Sequence, residues 1–479
     1  MLFKNFRNWC RDNEQFLIPS LVIFAVIYLL RVKLLQHYTF HTHAFDLAVF
    51  DTSLFNTVRG NFMFSEQLGR SYFSEHFSPL LLMYYPLYLV FNTPLTLLVT
   101  QVLFGAGCLW FLYQLSRHYE LDPALSLLIC LIFLNYKYFA RGMMYDFHIE
   151  MAVPFFLLGA VWFLLAEKKP GYWTFLFLAL MCKEDIVIYT FCLGVFIMLL
   201  RRHRLVGLLT LVISVVWAVA VWKFILPAFN PVDSEISRFI TRWGHLGDDY
   251  LQVFLAVLSS PLMVLERLFS YTPLQMLSLL VGFPVLAPEI LIIAGPGLIL
   301  NLTSQSGPQS SLHLYYAAPI LPFLFWSFVV GVKRLKRFCD KKNRSTHSNT
   351  SLWLTVVLLL LALGTFGDNY YFFAWDTHIA PRKAALEKIP ENAVVSAQTN
   401  FIPHLIRKAQ TYQFPEEREV SFYQTQYILL DFRLDKWPLK KDEYSNLVNS
   451  ILNDTNRYES IYDNDSVYLI LNKKLSDKP

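Results

Sequence analysis

The sequence predicts a polytopic α-helical membrane protein with a small C-terminal extracytoplasmic α/β domain. Three observations carry that prediction. Hydrophobic residues make up 55% of the 479-residue chain and charged residues only 16%, where a soluble globular protein has roughly a quarter charged. Apolar runs of about 20 residues, the length that spans a bilayer, recur up to residue 367, each bounded by Lys/Arg, Pro or Gly. Beyond that point short apolar stretches alternate with polar ones, as strands and amphipathic helices do.

The N-terminal MLFKNFRNWCRDNEQ is basic, and no small-residue cleavage site ends the apolar run after it, so a retained first helix is expected. About eleven membrane helices are expected on length, near 16–36, 95–116, 123–140, 151–166, 171–182, 186–200, 204–226, 272–286, 288–303, 314–332 and 351–367. Ser78–Phe91, at about 14 residues, suits a re-entrant or interfacial helix better than a span. If it does not cross, RHYE, EKK, RRHR and KRLKRFCDKKNR all fall on the side of the basic N-terminus, the positive-inside pattern. If it did cross, Arg201, Arg202 and Arg204 would face out together. The external face then receives a first loop at 38–94, a second at 227–271 and a domain at 368–479 that follows the transmembrane domain at 1–367.

In that last domain NAVVSAQ, QYILLDF and SVYLILN read as strands and KDEYSNLVNSILND as a helix. No internal repeat stands out, so an inverted-repeat transporter gains no support. Cys108, Cys130, Cys182 and Cys192 fall within or beside apolar runs, Cys10 and Cys339 in basic flanks. No pair has metal-ligand spacing, and they read as small core residues. The net charge of +5 gathers at the ends of apolar runs, where it orients a chain in a membrane and does not suggest nucleic acid as a partner.

Polar residues on the external face form the candidate site. FDLAVFDTSLFNTVRG (45–60) follows the first run. Coiled as a helix from Leu47, it aligns Leu47, Phe50, Leu54 and Val58 in one apolar stripe, with Asp51 in its middle and Asp46 at the N-cap. A cap is worth about 1 kcal/mol and would by itself explain Asp46. A carboxylate on an apolar stripe is costly unless paired or facing a polar cavity. Asp51 therefore either pairs with a base such as Arg59 or Arg141, or looks with Asp46 into a cleft.

SEHFSP adds Glu75 and His76, and RGMMYDFHIE sets Arg141, Tyr145, Asp146, His148 and Glu150 ahead of a membrane helix. Helix capping and headgroup anchoring compete with function there, and the spacing of Asp146, His148 and Glu150 leaves a divalent metal open without specifying one. MCKEDIVIYT puts Lys183, Glu184 and Asp185 between two apolar runs, either as a solvated turn or as part of a site. A lysine opposite the basic loops suits an anion such as a lipid phosphate. In SSLHLYYAAP, Tyr315 and Tyr316 read as interfacial belt aromatics, leaving His313 as the candidate.

No G-x-x-x-x-G-K-[ST], H-E-x-x-H or G-x-S-x-G is present, and no dinucleotide-type glycine run, which argues against a nucleotide-driven pump. A carboxylate base, cations for a phosphate and access from lipid remain. FDLAVFD, EHFSP, YDFHIE and KED in that order, with QTNFIPHL and YILLDF in the C-terminal domain, resemble a large prokaryotic family of membrane proteins, domain of unknown function 2079. More broadly the arrangement resembles the GT-C glycosyltransferases, which take a sugar from a polyprenyl-phosphate carrier.

The resemblance implies a GT-C-like transmembrane domain in a prokaryotic plasma (inner) membrane, with the N-terminus cytoplasmic. It implies an inverting transfer from a polyprenyl-phosphate-linked sugar donor to an extracytoplasmic glycan, lipid or protein. Asp46 matches the first-loop aspartate that acts as base, with Asp51 second. Lys183 matches the cation at the carrier phosphate, helped by Arg141 and His76. Glu75, Asp146, His148, Glu150, Glu184, Asp185 and His313 would complete the donor site; metal dependence stays open. Ala48 stands where that family leads one to expect glycine. A lipid or polysaccharide flippase would instead string ionisable residues along a path through the span, and a scaffold would tolerate neutral replacements of Asp46 and Lys183. Clustering at one face favours the enzyme.

Overall fold

The computed structural model describes residues 2–200, 203–229, 242–342, 347–364, 378–417 and 420–475. A short helix, α1 (Leu2–Asp12), precedes α2 (Glu14–Tyr38). At 1.5 Å per residue, α2 extends over about 38 Å, more than the roughly 30 Å of a hydrocarbon core. A loop then leads into α3 (Val49–Val58). The Pro79–Val90 segment is short, a 3₁₀ turn running into six α-helical residues. Next come α4 (Leu95–His118), α5 (Pro123–Asn135), α6 (Lys137–Met144), α7 (Val153–Leu165), α8 (Lys169–Leu180), α9 (Ile186–Leu199) and α10 (Arg204–Ala220). Late in the bundle stand α11 (Leu321–Lys342) and α12 (His347–Gly364).

Three helices are long and apolar enough to cross a membrane: Glu14–Tyr38, Leu95–His118 and Arg204–Phe229. Two bent pairs raise that to five, Pro123–Asn135 with Lys137–Met144 at 49° and Leu251–Ser259 with Pro261–Leu268 at 85°. The expected count of about eleven is approached only by adding shorter apolar helices such as Ile149–Leu165 and Ile186–Leu199. The run expected at 123–140 breaks at Tyr136, which takes an extended backbone. Those expected at 272–286 and 288–303 fragment into short turns, where Pro284, Pro288 and Pro296 interrupt the helical bond ladder. The helix expected from 314 starts at Leu321.

The second external loop, 227–271, includes residues outside those described, yet its later part is the apolar bent pair, with Leu255, Leu258 and Leu262 exposed. The boundary drawn at 367/368 also lies outside the described residues. Close helix packing depends on small residues: a Cβ on Gly207 of α10 would stand 2.3 Å from the backbone nitrogen of Met198 on α9.

The C-terminal part forms a five-stranded mixed sheet. Its strands are β1 (Val394–Ala397), β2 (Gln410–Gln413), β3 (Tyr427–Asp431), β4 (Tyr458–Asn464) and β5 (Val467–Asn472), in the order β2-β1-β3-β5-β4. β1 lies parallel to β2 and β3, whereas β5 runs antiparallel to β3 and β4. Three of these strands match the sequence expectation; β2 and β4, polar and partly exposed, do not announce themselves. Alternation along β3 sends Ile428 and Leu430 to the layer under the helix α14 defined below and Leu429 to the opposite face. That opposite face carries α13 (Ile379–Glu387), while α14 (Lys441–Asn453) covers the first. The α13-side core also contains Phe40, Ala44, Ala48 and Phe55 from the segment between α2 and the middle of α3. The sheet domain and the first loop thus share one core.

Candidate active site

The last turns of α2 carry Lys33, Gln36 and His37, all buried. Buried polar groups in such a helix require partners, and these reach the Tyr145–Asp146 turn. Lys33 donates to the Tyr145 carbonyl. Gln36 Nε2 donates to the Met144 carbonyl (3.0 Å) and to Asp146 Oδ1 (3.2 Å). Asp146 Oδ2 in turn accepts the His43 amide (2.6 Å) and meets His43 Nδ1 at 3.1 Å. From α4, Gln101 accepts the His148 amide (2.9 Å) and donates to the Asp146 carbonyl (3.3 Å). Asp146 is therefore a structural staple between the first loop and the turn before α7.

This stapling brings Asp46 and His148 together, with Asp46 Oδ2 3.8 Å from His148 Nε2. Asp46 does not cap a helix: α3 begins at Val49, and Asp46 lies within a wider turn over Ala44–Ala48. His148 Nδ1 accepts the Glu150 amide at 3.4 Å, which leaves the ring proton on Nε2, facing Asp46. Tyr315 stacks on the His148 ring, centroids 3.3 Å apart at 10°. Burial, then the positive charges of Lys183 and His76, hold His148 well below the ordinary histidine range, so it is neutral. Burial and then the Asp146 charge push Asp46 up to about 6, against the Tyr145 hydroxyl, His76 and Lys183. The side chain of Asp46 keeps 26% exposure, so a reactant can reach it.

Beside this pair lies a buried ionic network. Lys183 donates to Glu150 Oε1 and lies 3.8 Å from Asp185. Burial opposes its charge, but Glu150, Asp185 and Glu184 outweigh burial and hold the ammonium well above the ordinary lysine range. His76 Nδ1 lies 2.7 Å from Glu184 Oε1, whose second oxygen accepts the Phe77 amide at 3.0 Å. One oxygen of Asp185 is buried without a hydrogen-bond partner among the described residues.

Asp46, His76, Asp146, His148, Glu150, Lys183, Glu184 and Asp185 are thereby gathered into one cluster. Glu75 is held by Arg70. Asp51 is fully buried elsewhere: Arg407 of the sheet domain grips both its oxygens, and the Tyr88 hydroxyl donates to it at 2.8 Å. The basic neighbour of Asp51 is thus neither Arg59 nor Arg141. Arg141 sits one turn before Tyr145, half-buried, next to Lys137 on α6. Exposed His313 feels both charges; burial, then Arg141 and Lys137, lower its affinity for a proton. Lys137 donates to Gln275 at 2.9 Å.

Sequence reading passed over Tyr315, which faces the cluster where His313 does not, and Lys33, Gln36, His43, Tyr88 and Arg407. One signal was available. VKLLQH (32–37) places three polar residues at helical spacing where an apolar run should finish, a mark of partners inside the protein. Among the described residues no group of three or more His, Cys, Asp or Glu side chains converges as a metal site.

The fold is similar to that of ArnT from Cupriavidus metallidurans, a GT-C glycosyltransferase, in its crystal structure bound to undecaprenyl phosphate. The TM-score is 0.54 at 14% identity, over 94% of this chain and 97% of that one. The Archaeoglobus fulgidus oligosaccharyltransferase, also a GT-C enzyme, in its structure tethered with an acceptor peptide, aligns with a TM-score of 0.44 at 12% identity. That alignment covers 88% of this chain and 70% of that one. No curated protein matches the chain in sequence. The sequence model described as "Predicted membrane protein (DUF2079)" matches residues 36–469, from the end of α2 into the last strand, and the chain belongs to that family.

Proposed function

We propose that this protein is a membrane glycosyltransferase of the GT-C type, transferring a sugar from a polyprenyl-phosphate carrier to an extracytoplasmic acceptor. The observation that carries the proposal is the exposed edge of Asp46, its carboxyl raised to about 6 and faced by the Nε2–H of a neutral histidine. A carboxylate so poised suits a general base. In the reaction Asp46 takes the acceptor hydroxyl proton as that oxygen bonds to the anomeric carbon. The bond from that carbon to the phosphate oxygen breaks on the opposite face, and its electron pair leaves with the polyprenyl phosphate. His148 orients the base. Arg141 with Lys137 meets the phosphate charge; Lys183, spent on Glu150, holds the site together and does not bind the carrier.

The cluster lies at the extracytoplasmic face in this reading, with the N-terminus cytoplasmic and about eleven crossings once short helices are counted. Residues 368–479 form an external domain. The test uses full-length protein in lipid nanodiscs with a panel of polyprenyl-phosphate sugars and a cell-envelope extract as acceptor. Wild type should turn over, and Asp46→Asn should lose about 10²–10⁴-fold in kcat. Equal turnover by Asp46→Asn would remove Asp46 as base, and absence of turnover or donor binding across the panel would count against the transferase.

A further inference from the structure

We infer that the C-terminal sheet domain positions the reactive carboxylate, with Thr399 and Asn400 as the positioning residues. The inference rests on the reading of Asp46 as base. The loop from Thr39 to Ala48 contains no regular backbone ladder before its wide turn. Its peptide groups therefore need other partners, and side chains supply them. Asn400 Nδ2 donates to the Phe40 carbonyl at 2.9 Å, and the Ala44 amide donates to Thr399 Oγ1 at 3.0 Å. Arg382 of α13, itself fixed by Asp431 at 2.8 Å, donates to the Thr39 carbonyl at 3.3 Å. The loop is thus tied to the sheet domain at Thr39, Phe40 and Ala44, the last only two residues from Asp46.

Packing points the same way. Phe40, Ala44 and Ala48 are buried among Val395, Phe401 and Leu405 of the sheet domain, and Phe40 meets the Phe401 ring edge-on at 5.5 Å. On the far side of the loop Asp146 holds the His43 amide, so the chain before Asp46 is pinned from both directions. A side chain aimed by its backbone needs that backbone fixed to a fraction of an ångström. Thr399 and Asn400 touch no reacting atom; they act through the loop.

The experiment uses the full chain in nanodiscs and two readouts. Hydrogen exchange of the 40–48 segment should rise at least tenfold in Thr399→Val and Asn400→Ala, and Thr399→Ser, which keeps the hydroxyl, should restore protection. Turnover in the same variants should fall about 10- to 100-fold in kcat at unchanged donor KM. The pH at half-maximal rate should move from about 6 toward an ordinary carboxylate value as Asp46 gains water. Val448→Ala, which opens the α14 side of the sheet, is the control and should change neither the exchange nor the pH midpoint. Wild-type exchange in Thr399→Val and Asn400→Ala, or equal loosening in Val448→Ala, would overturn the inference. Exchange needs no turnover, so an inactive wild type would sink the transferase reading and leave this one to be decided by exchange alone.

Discussion

A carboxyl raised to about 6 is half ionised near that pH, and only its charged form can accept a proton. Transfer should therefore climb with pH through about 6 and level off above it, tenfold lower for each pH step well below. A profile still flat at pH 4.5 would mean that Asp46 is not the group titrating. The neutral histidine beside it adds no second limb near neutrality, since its affinity for protons is depressed further. Lys183 and Glu150 call for a different measurement. Removing one member of a buried pair strands the other charge, at about 3–5 kcal/mol, whereas removing both is far milder. Lys183→Met should lower thermal stability sharply, and adding Glu150→Leu should recover most of the loss. Failure of that rescue would restore Lys183 as a candidate for the carrier phosphate. Sequence showed the right residue types here and hid their pairing, because the partner lies on another helix 33 positions away.

At the scale of elements, α3 illustrates what a pattern can and cannot tell. The stripe of Leu47, Phe50 and Leu54 is buried as expected. The helix nevertheless starts two residues later, and its other side, Asp51, Thr52, Ser53 and Phe55, is buried too. A stripe argument assumes water or lipid on the opposite side; here the sheet domain sits there, and Arg407 answers Asp51 from 356 positions away. Arg407→Ala should expose this joint. The stranded carboxylate costs about 3–5 kcal/mol, and protease should release the sheet domain faster than in wild type. The double variant Asp51→Asn/Arg407→Gln should be cut at a rate between the two. Identical cutting of all three would show that the ion pair does not hold the domain down.

Across the whole molecule, membrane character and the C-terminal sheet were legible from composition and alternation, and the family from ordered motifs. The number of crossings was not. Proline-broken helices and a bundle that buries much of its own apolar surface make length a poor counter of spans. Orientation is best asked chemically. Single cysteines placed at exposed Lys441 and at Arg334 in a background lacking the six native cysteines should react with an impermeant maleimide from opposite sides of intact cells. Labelling of both from one side would invert or break the proposed topology.

Because Phe40, Ala44, Ala48 and Phe55 find their core only against Val395, Leu429 and Leu469, the first external loop cannot mature when it leaves the ribosome. At roughly 5–20 residues per second, some 20–80 s of synthesis separate Ala48 from Leu469. Through that interval the loop stays unfinished, and a chain stopped early inserts into the membrane without ever acquiring a competent centre. Completion of translation is thereby written into the enzyme as a condition for its first turnover, and no half-made copy can consume lipid-linked sugar.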